Sequence, residues 1–86
     1  GGAATAPVIA SVPPEGANAG DLVPINGTGF TGATAVSFAG TASPEIAVMN
    51  PATIVAILPN GDAGNVPVIV TTPGGASAAF TFTRGA

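Results

Sequence analysis

Gly27-Thr28-Gly29-Phe30-Thr31-Gly32-Ala33-Thr34-Ala35-Val36-Ser37-Phe38 runs from a glycine-punctuated turn into a short alternating strand. Glycine suits positions 27 and 29 because a side chain there would clash or demand an unfavourable φ. The turn leaves Phe30 free to fold its ring over the end of a β-layer. Val36 and Phe38 then share one side of an extended segment, since successive residues of a strand point to opposite faces.

The same alternation recurs on either side. Strands are expected over Val8–Val12, Leu22–Gly27, Thr34–Phe38, Glu45–Met49, Thr53–Leu58, Asn65–Thr72 and Ala78–Thr83. No helix is expected, because Gly or Pro interrupts every run longer than about eight residues and Pro is costly inside a helix. Turns fall at Pro13-Pro14-Glu15-Gly16, Gly27-Thr28-Gly29, Gly40, Asn50-Pro51, Asn60-Gly61-Asp62 and Pro73-Gly74-Gly75. Each holds residues that preset φ or tolerate φ > 0. Val23 with Ile25, Val36 with Phe38, Ile54 with Ala56 and Leu58, Val66 with Val68 and Val70, and Phe80 with Phe82 form the expected inner faces. Short strands with regular turn signals point to an all-β, two-sheet sandwich, its layers ~10 Å apart. Pro24 and Pro67 lie inside expected strands, where a missing N–H removes a ladder bond. That requires a bulge or a different strand order.

These residues resemble the IPT/TIG domains, immunoglobulin-like folds shared by plexins, Rel-type transcription factors, and bacterial surface proteins and enzymes. Beside the stretch from Gly27 to Phe38, the matching motifs are Pro7-Val8-Ile9, Pro14-Glu15-Gly16, Ala52-Thr53-Ile54-Val55-Ala56, the run from Val68 to Gly75, and Phe80-Thr81-Phe82. They follow in order from Pro7 to Thr83. The resemblance implies an immunoglobulin-like antiparallel β-sandwich of about seven strands. Its structural turn motif would be Gly27, Thr28, Gly29 and Phe30, with Pro73, Gly74 and Gly75 making the last hairpin. Residues 1–6, small and flexible, read as a linker or tail, residues 7–83 as the domain, and residues 84–86 as a C-terminal tail. The Ala/Gly/Val-rich, Lys-free composition sets the expectation in the bacterial or bacteriophage branch. The basic loops by which Rel-type relatives bind DNA have no counterpart in this chain.

Composition excludes several functions. The 86 residues suit one domain. Only 6% are charged, with a net charge of −3, against about 25% charged in average chains. A hydrophobic fraction of 47% is too high for intrinsic disorder. Arg84 is the only basic residue, so neither a phosphate backbone nor an anionic membrane surface has a counter-charge to meet. Without Cys there is no disulfide, thiolate metal site or Cys nucleophile. The longest apolar run, Ile54–Pro59, is far short of the ~20 residues of a membrane span, and no signal-peptide pattern is read. Gly1 and Thr5 match the myristoylation pattern formally, as Ala/Gly-rich starts do by chance.

No catalytic residue is expected. His, Lys, Tyr and Cys are absent, and these with carboxylates supply most acid–base groups. Glu15, Asp21, Glu45 and Asp62 fall in or beside different turns and read as solvated loop charges. No cofactor is expected. Asn60, Asp62 and Asn65 offer hard oxygens, which Ca²⁺ prefers, but a single carboxylate is thin for an ion wanting six to eight ligands; the plainer reading is an Asn-Gly turn. Asn26-Gly27-Thr28 matches a glycosylation sequon and reads as turn chemistry.

The outward face is more informative. If Val23, Ile25, Ile54, Ala56 and Leu58 point inward, then Leu22, Pro24, Val55 and Ile57 point outward. The second and fifth strands are neighbours in an immunoglobulin-like sandwich, so these four would form one apolar patch, with Val8 nearby. Such a patch commonly marks a contact surface, here with a neighbouring domain or subunit. The expected function is a non-catalytic structural or interaction module on a virion (capsid decoration or tail) or a bacterial extracellular surface. The alternative is an accessory domain of a secreted polysaccharide-acting enzyme or surface adhesin with weak glycan binding. The expected partner is protein, with a surface glycan as the second candidate; nucleic acid and membrane insertion are not expected.

Overall fold

Alternation becomes strand where Gly and Pro release the chain. The computed structural model describes residues 5–13 and 15–86; the first four residues of the expected tail and Pro14 of the expected first turn lie outside the described residues. Within them run β1 (Val8–Ser11), β2 (Leu22–Thr28), β3 (Ala35–Phe38), β4 (Thr41–Ala42), β5 (Ile46–Asn50), β6 (Thr53–Ile57), β7 (Gly64–Thr72), β8 (Gly75–Ala76) and β9 (Phe80–Arg84), and no helix. The first sheet has the order β1-β2-β6-β5 and the second the order β4-β3-β7-β8, with β9 also on β7; every pairing is antiparallel. The all-β sandwich is as expected, built from nine strands rather than seven. The two additional strands, β4 and β8, are two residues each, too short for alternation to register. The last strand continues to Arg84, which is 4% exposed, so the expected tail at 84–86 begins inside β9.

The two strand prolines need no other strand order, and the register runs unbroken through both; the nearby irregularity falls in β1, between Ile9 and Ser11. Gly27 N donates to Ala52 O and Leu58 N to Asp21 O. The odd-numbered backbone of β2 therefore faces β6, and the nitrogen of Pro24 faces the opposite edge. There β1 pairs only as far as Asn26, so no ladder bond is lost. Pro67 lies in central β7, and Ala39 N donates to its carbonyl. Its nitrogen points the same way, to the edge where β3 ends at Phe38 and turns off. Pro24 lies beyond the paired part of β1 and Pro67 opposite the residue where β3 turns into its hairpin, at strand margins where sheets tolerate proline.

The inner faces close on one core. Val23, Ile25, Ile54, Ala56 and Leu58 oppose Val36, Phe38, Val66, Val68, Val70 and Phe82, all buried. Phe38 and Phe82 meet edge to face at 6.1 Å, a favoured aromatic geometry. Phe80, expected inside, is only half-buried and packs against the core from its margin. The first strand changes sheets. β1 pairs β2, after which Gly16 N donates to Thr83 O and Gly85 N to Ala17 O on the last strand. Ile9, Val12 and Ala17 thereby seal one open side of the sandwich.

The family-like turns meet at one end. Gly27 lies in β2 rather than in a turn, and it is needed for space: a Cβ there would overlap the Val8 carbonyl oxygen and come within 2.8 Å of the Phe30 ring tip. Gly29 is needed for conformation, with φ 76. Phe30 is fully buried, and its N–H donates to Pro51 O at 2.9 Å. Gly32 faces Pro73 of the last hairpin at 3.3 Å from its Cβ position. In that hairpin Thr72 Oγ1 accepts from Gly74 N, and Gly75 takes φ 125. These turn segments therefore pack against one another at that end of the sandwich.

Candidate interaction surface

The outer face of the first sheet follows from the same parity that fills the core. Register places Leu22 opposite Ile57 and Pro24 opposite Val55. On the far side of β6, Ala47 stands opposite Val55. All point away from Val23, Ile25, Ile54 and Ala56. The four expected residues are therefore brought together on one face. Leu22 is 65% exposed, while Pro24, Val55 and Ile57 are half-buried among their neighbours. Val8, 60% exposed, lies on the same face at the other end, opposite Thr28.

Ala47 and Met49 extend this surface, and sequence reasoning missed them. Leu22, Ala47, Met49, Val55 and Ile57 line one shallow groove, with Glu45 as the only charge among its lining residues. Met49 is 63% exposed. Alternation along β5 marks Ala47 as outward. What the sequence hides is that the ladder slips between Val48 and Asn50; such an irregularity re-aims side chains.

The other end of the sandwich holds the single cation. Arg84 Nη1 donates to Pro59 O at 2.7 Å and Nε to Gly85 O at 2.9 Å, while its buried Nη2 has no partner among the described residues. Gly61 leaves room for the guanidinium, since a Cβ there would stand 3.0 Å from Nη1. The side chain ties the chain reversal after β6 to the last strand. In immunoglobulin domains a Tyr hydroxyl can hold the corresponding corner; this chain has no Tyr.

The other candidates are dispersed. Glu15, Asp21, Glu45 and Asp62 are all exposed. Asp21 accepts from Asn18 N at 2.9 Å, a local turn contact. Of the three oxygen donors considered for Ca²⁺, Asn65 Oδ1 already accepts from the Thr83 hydroxyl at 2.6 Å, and Asn60 and Asp62 are exposed. No cluster of His, Cys, Asp or Glu among the described residues is arranged to hold a metal. Asn26, of the sequon read as turn chemistry, lies in β2 as its expected strand placed it, with its amide between Ser11 and Thr53. Of the four Phe rings, Phe30, Phe38 and Phe82 are buried. Phe80 alone is partly accessible, in a cleft with Ser11, Glu15, Thr81 and Thr83. No helix among the described residues is long and apolar enough to cross a membrane.

The IPT/TIG domain model matches residues 7–83. The chain belongs to the IPT/TIG domain family. As an IPT/TIG domain it is similar to a part of the γ-CGTase from alkalophilic Bacillus clarkii. The TM-score is 0.82 at 33% identity, covering 93% of this chain and 12% of that one. It is also similar in fold to SGBP-B from a complex xyloglucan utilization locus in Bacteroides uniformis. There the TM-score is 0.80 at 19% identity, covering 94% of this chain and 24% of that one. The IPT/TIG chain thus spans about an eighth and about a quarter of these two proteins' lengths. No curated protein sequence matches it.

Proposed function

We propose that this IPT/TIG domain is a non-catalytic accessory module of a larger, extracellular glycan-acting protein. The observation that carries this reading is the 33% identity to a segment of γ-CGTase over 93% of the chain. The fold-level likeness to SGBP-B agrees with it. Absence of His, Lys, Tyr and Cys from the sequence, with four exposed carboxylates in separate places, supports the non-catalytic part. The module's contribution is spacing and docking. Glycan contact is secondary, because stacking platforms are aromatic and three of the four rings are inside. A virion-surface role, the first expectation from the sequence, has no comparable observation behind it.

The test is to delete residues 7–83 from the complete gene product and assay starch and xyloglucan turnover and retention. Expected are a surviving catalytic or binding activity in the flanking domains, a lower thermal midpoint, and no retardation of the isolated chain on either polysaccharide. A complete gene product with no activity or affinity for any glycan would overturn the reading.

A further inference from the structure

We infer that the outer face of the first sheet, across β2, β6 and β5, is the seat of an adjoining domain of the same polypeptide. This rests on reading the chain as a module of a larger protein. The surface is apolar in a place that sandwich domains usually make polar: Leu22, Pro24, Ala47, Met49, Val55 and Ile57 adjoin without a charge between them. Its two largest exposed side chains, Leu22 and Met49, keep nearly two thirds of their surface in water, at 65% and 63%. The solvated face of an antiparallel sheet ordinarily carries polar residues, so six adjoining apolar side chains there differ from surface hydrophobics scattered singly.

Area decides between a free partner and a tethered one. Three strands ~4.8 Å apart, with three residues used along each at ~3.3 Å, give a footprint on the order of 200–300 Å² once side-chain relief is included. A stable complex between free chains buries about 800 Å² on each partner. A second copy of this chain therefore has too little surface to hold. Domains joined by a linker meet over as little as ~600 Å² in total, because the linker keeps the effective concentration near millimolar. The surface fits that smaller need. The complementary patch on the adjoining domain is correspondingly apolar and uncharged. Any basic group it carries is placed to meet Glu45 at the margin of the groove.

The test uses introduced thiols, for which this chain has no native competitor. Leu22→Cys and Met49→Cys report the face; Ala79→Cys, exposed at the edge of the second sheet, is the control. Neither reporter site is buried, so the variants retain the fold. Alkylation rates are compared between the isolated 86-residue chain and the complete gene product, and the isolated chain is sedimented at several concentrations. Expected are a monomeric isolated chain, and labelling of Leu22→Cys and Met49→Cys slowed about tenfold or more in the complete product, the factor that ~1.4 kcal/mol of closure confers. The control should label equally in both. Equal rates at the reporter sites would overturn the docking while leaving the accessory-module reading standing on its glycan assay. A concentration-dependent dimer that protects the reporter thiols in the isolated chain would also overturn it, in favour of a second copy. Protection in a gene product that acts on no glycan would keep the docking and overturn the module's proposed setting.

Discussion

Replacing Gly27 by Ala tests why the glycine-rich turn is written as it is. The added methyl would overlap the Val8 carbonyl oxygen and approach the Phe30 ring tip to 2.8 Å, well inside the about 3.5–4.0 Å at which carbon atoms rest. Neither obstacle is free to yield. Phe30 is fully buried, with its N–H held by Pro51. Val8 is fixed by the pairing of Ile9 with Gly27. The cheapest relief is for β1 to swing away, which returns Ile9 and Val12 to water. These are 9% and 5% exposed, and re-exposing two such side chains costs about 3–5 kcal/mol. The reduced backbone entropy of the unfolded Ala variant offsets about 0.4–1 kcal/mol of this. The expected net loss is ~3 kcal/mol, a large part of the roughly 4–13 kcal/mol that a chain of this size has. Urea unfolding followed by far-UV circular dichroism measures it, since the chain has neither Trp nor Tyr to fluoresce. Because the backbone oxygen is the harder obstacle, adding Phe30→Leu to Gly27→Ala should restore less than ~1 kcal/mol in a double-mutant cycle. A Gly27→Ala protein within 1 kcal/mol of the parent at unchanged m-value, or full recovery in the double variant, would refute the argument.

Three further substitutions probe the frame. Ala39 holds φ 52 beside Gly40 at φ 83 in the β3–β4 hairpin. Left-handed backbone costs an L-residue about 1–2 kcal/mol, whereas Asn visits it readily. Ala39→Asn should therefore raise the thermal midpoint by about 4–8 °C, and an unchanged midpoint counts against strain at this turn. Ser77 is buried, and its Oγ accepts from Val70 N at 2.9 Å in the gap between β8 and β9. Ser77→Ala should cost about 1–3 kcal/mol by stranding that N–H, seen in urea and as faster hydrogen exchange at Val70. Arg84→Met keeps the aliphatic stem while removing the donors to Pro59 and Gly85 and the unpartnered Nη2. Loss of the two hydrogen bonds and release of a buried charge oppose each other, so stability should stay within ~1 kcal/mol. Arg84→Ala, which also empties the corner, should lose about 2–3 kcal/mol. Equal losses in the two would show that the charge, not the stem, holds the loop.

Most of the core was legible because a strand's side-chain period is fixed by geometry and needs no knowledge of its neighbours. Val66, Val68 and Val70, or Ile54 and Ala56, could be assigned from parity alone. Features that depend on which strand lies alongside were not. Pro24 and Pro67 looked like conflicts because a sequence does not say where an adjacent strand stops. Phe80 shares parity with Phe82, which points it inward, yet it sits where the sandwich opens beside β1. Arg84 read as tail because its role comes from Pro59, 25 residues earlier. On the candidate surface, alternation and the expected strand order reach the outward residues of β2 and β6. Ala47 and Met49 stayed out of sight because their membership depends on β5 flanking β6 and on its irregular ladder.

The buried position of Arg84 has a consequence for digestion. It is the only Lys or Arg in the chain, so a protease that cuts after basic residues has one scissile bond here, Arg84–Gly85. To be cut, that arginine must enter the protease's specificity pocket, and it is instead tethered to Pro59, with Gly85 N bonded to Ala17 O at 2.7 Å. Cleavage must wait for the end of the last strand to peel away, so its rate follows how often that end opens when reclosing is fast. Full denaturation gains such an enzyme nothing before residue 84. Residues 1–84 hold no other Lys or Arg, so a tryptic digest of this chain leaves them as one uncut peptide.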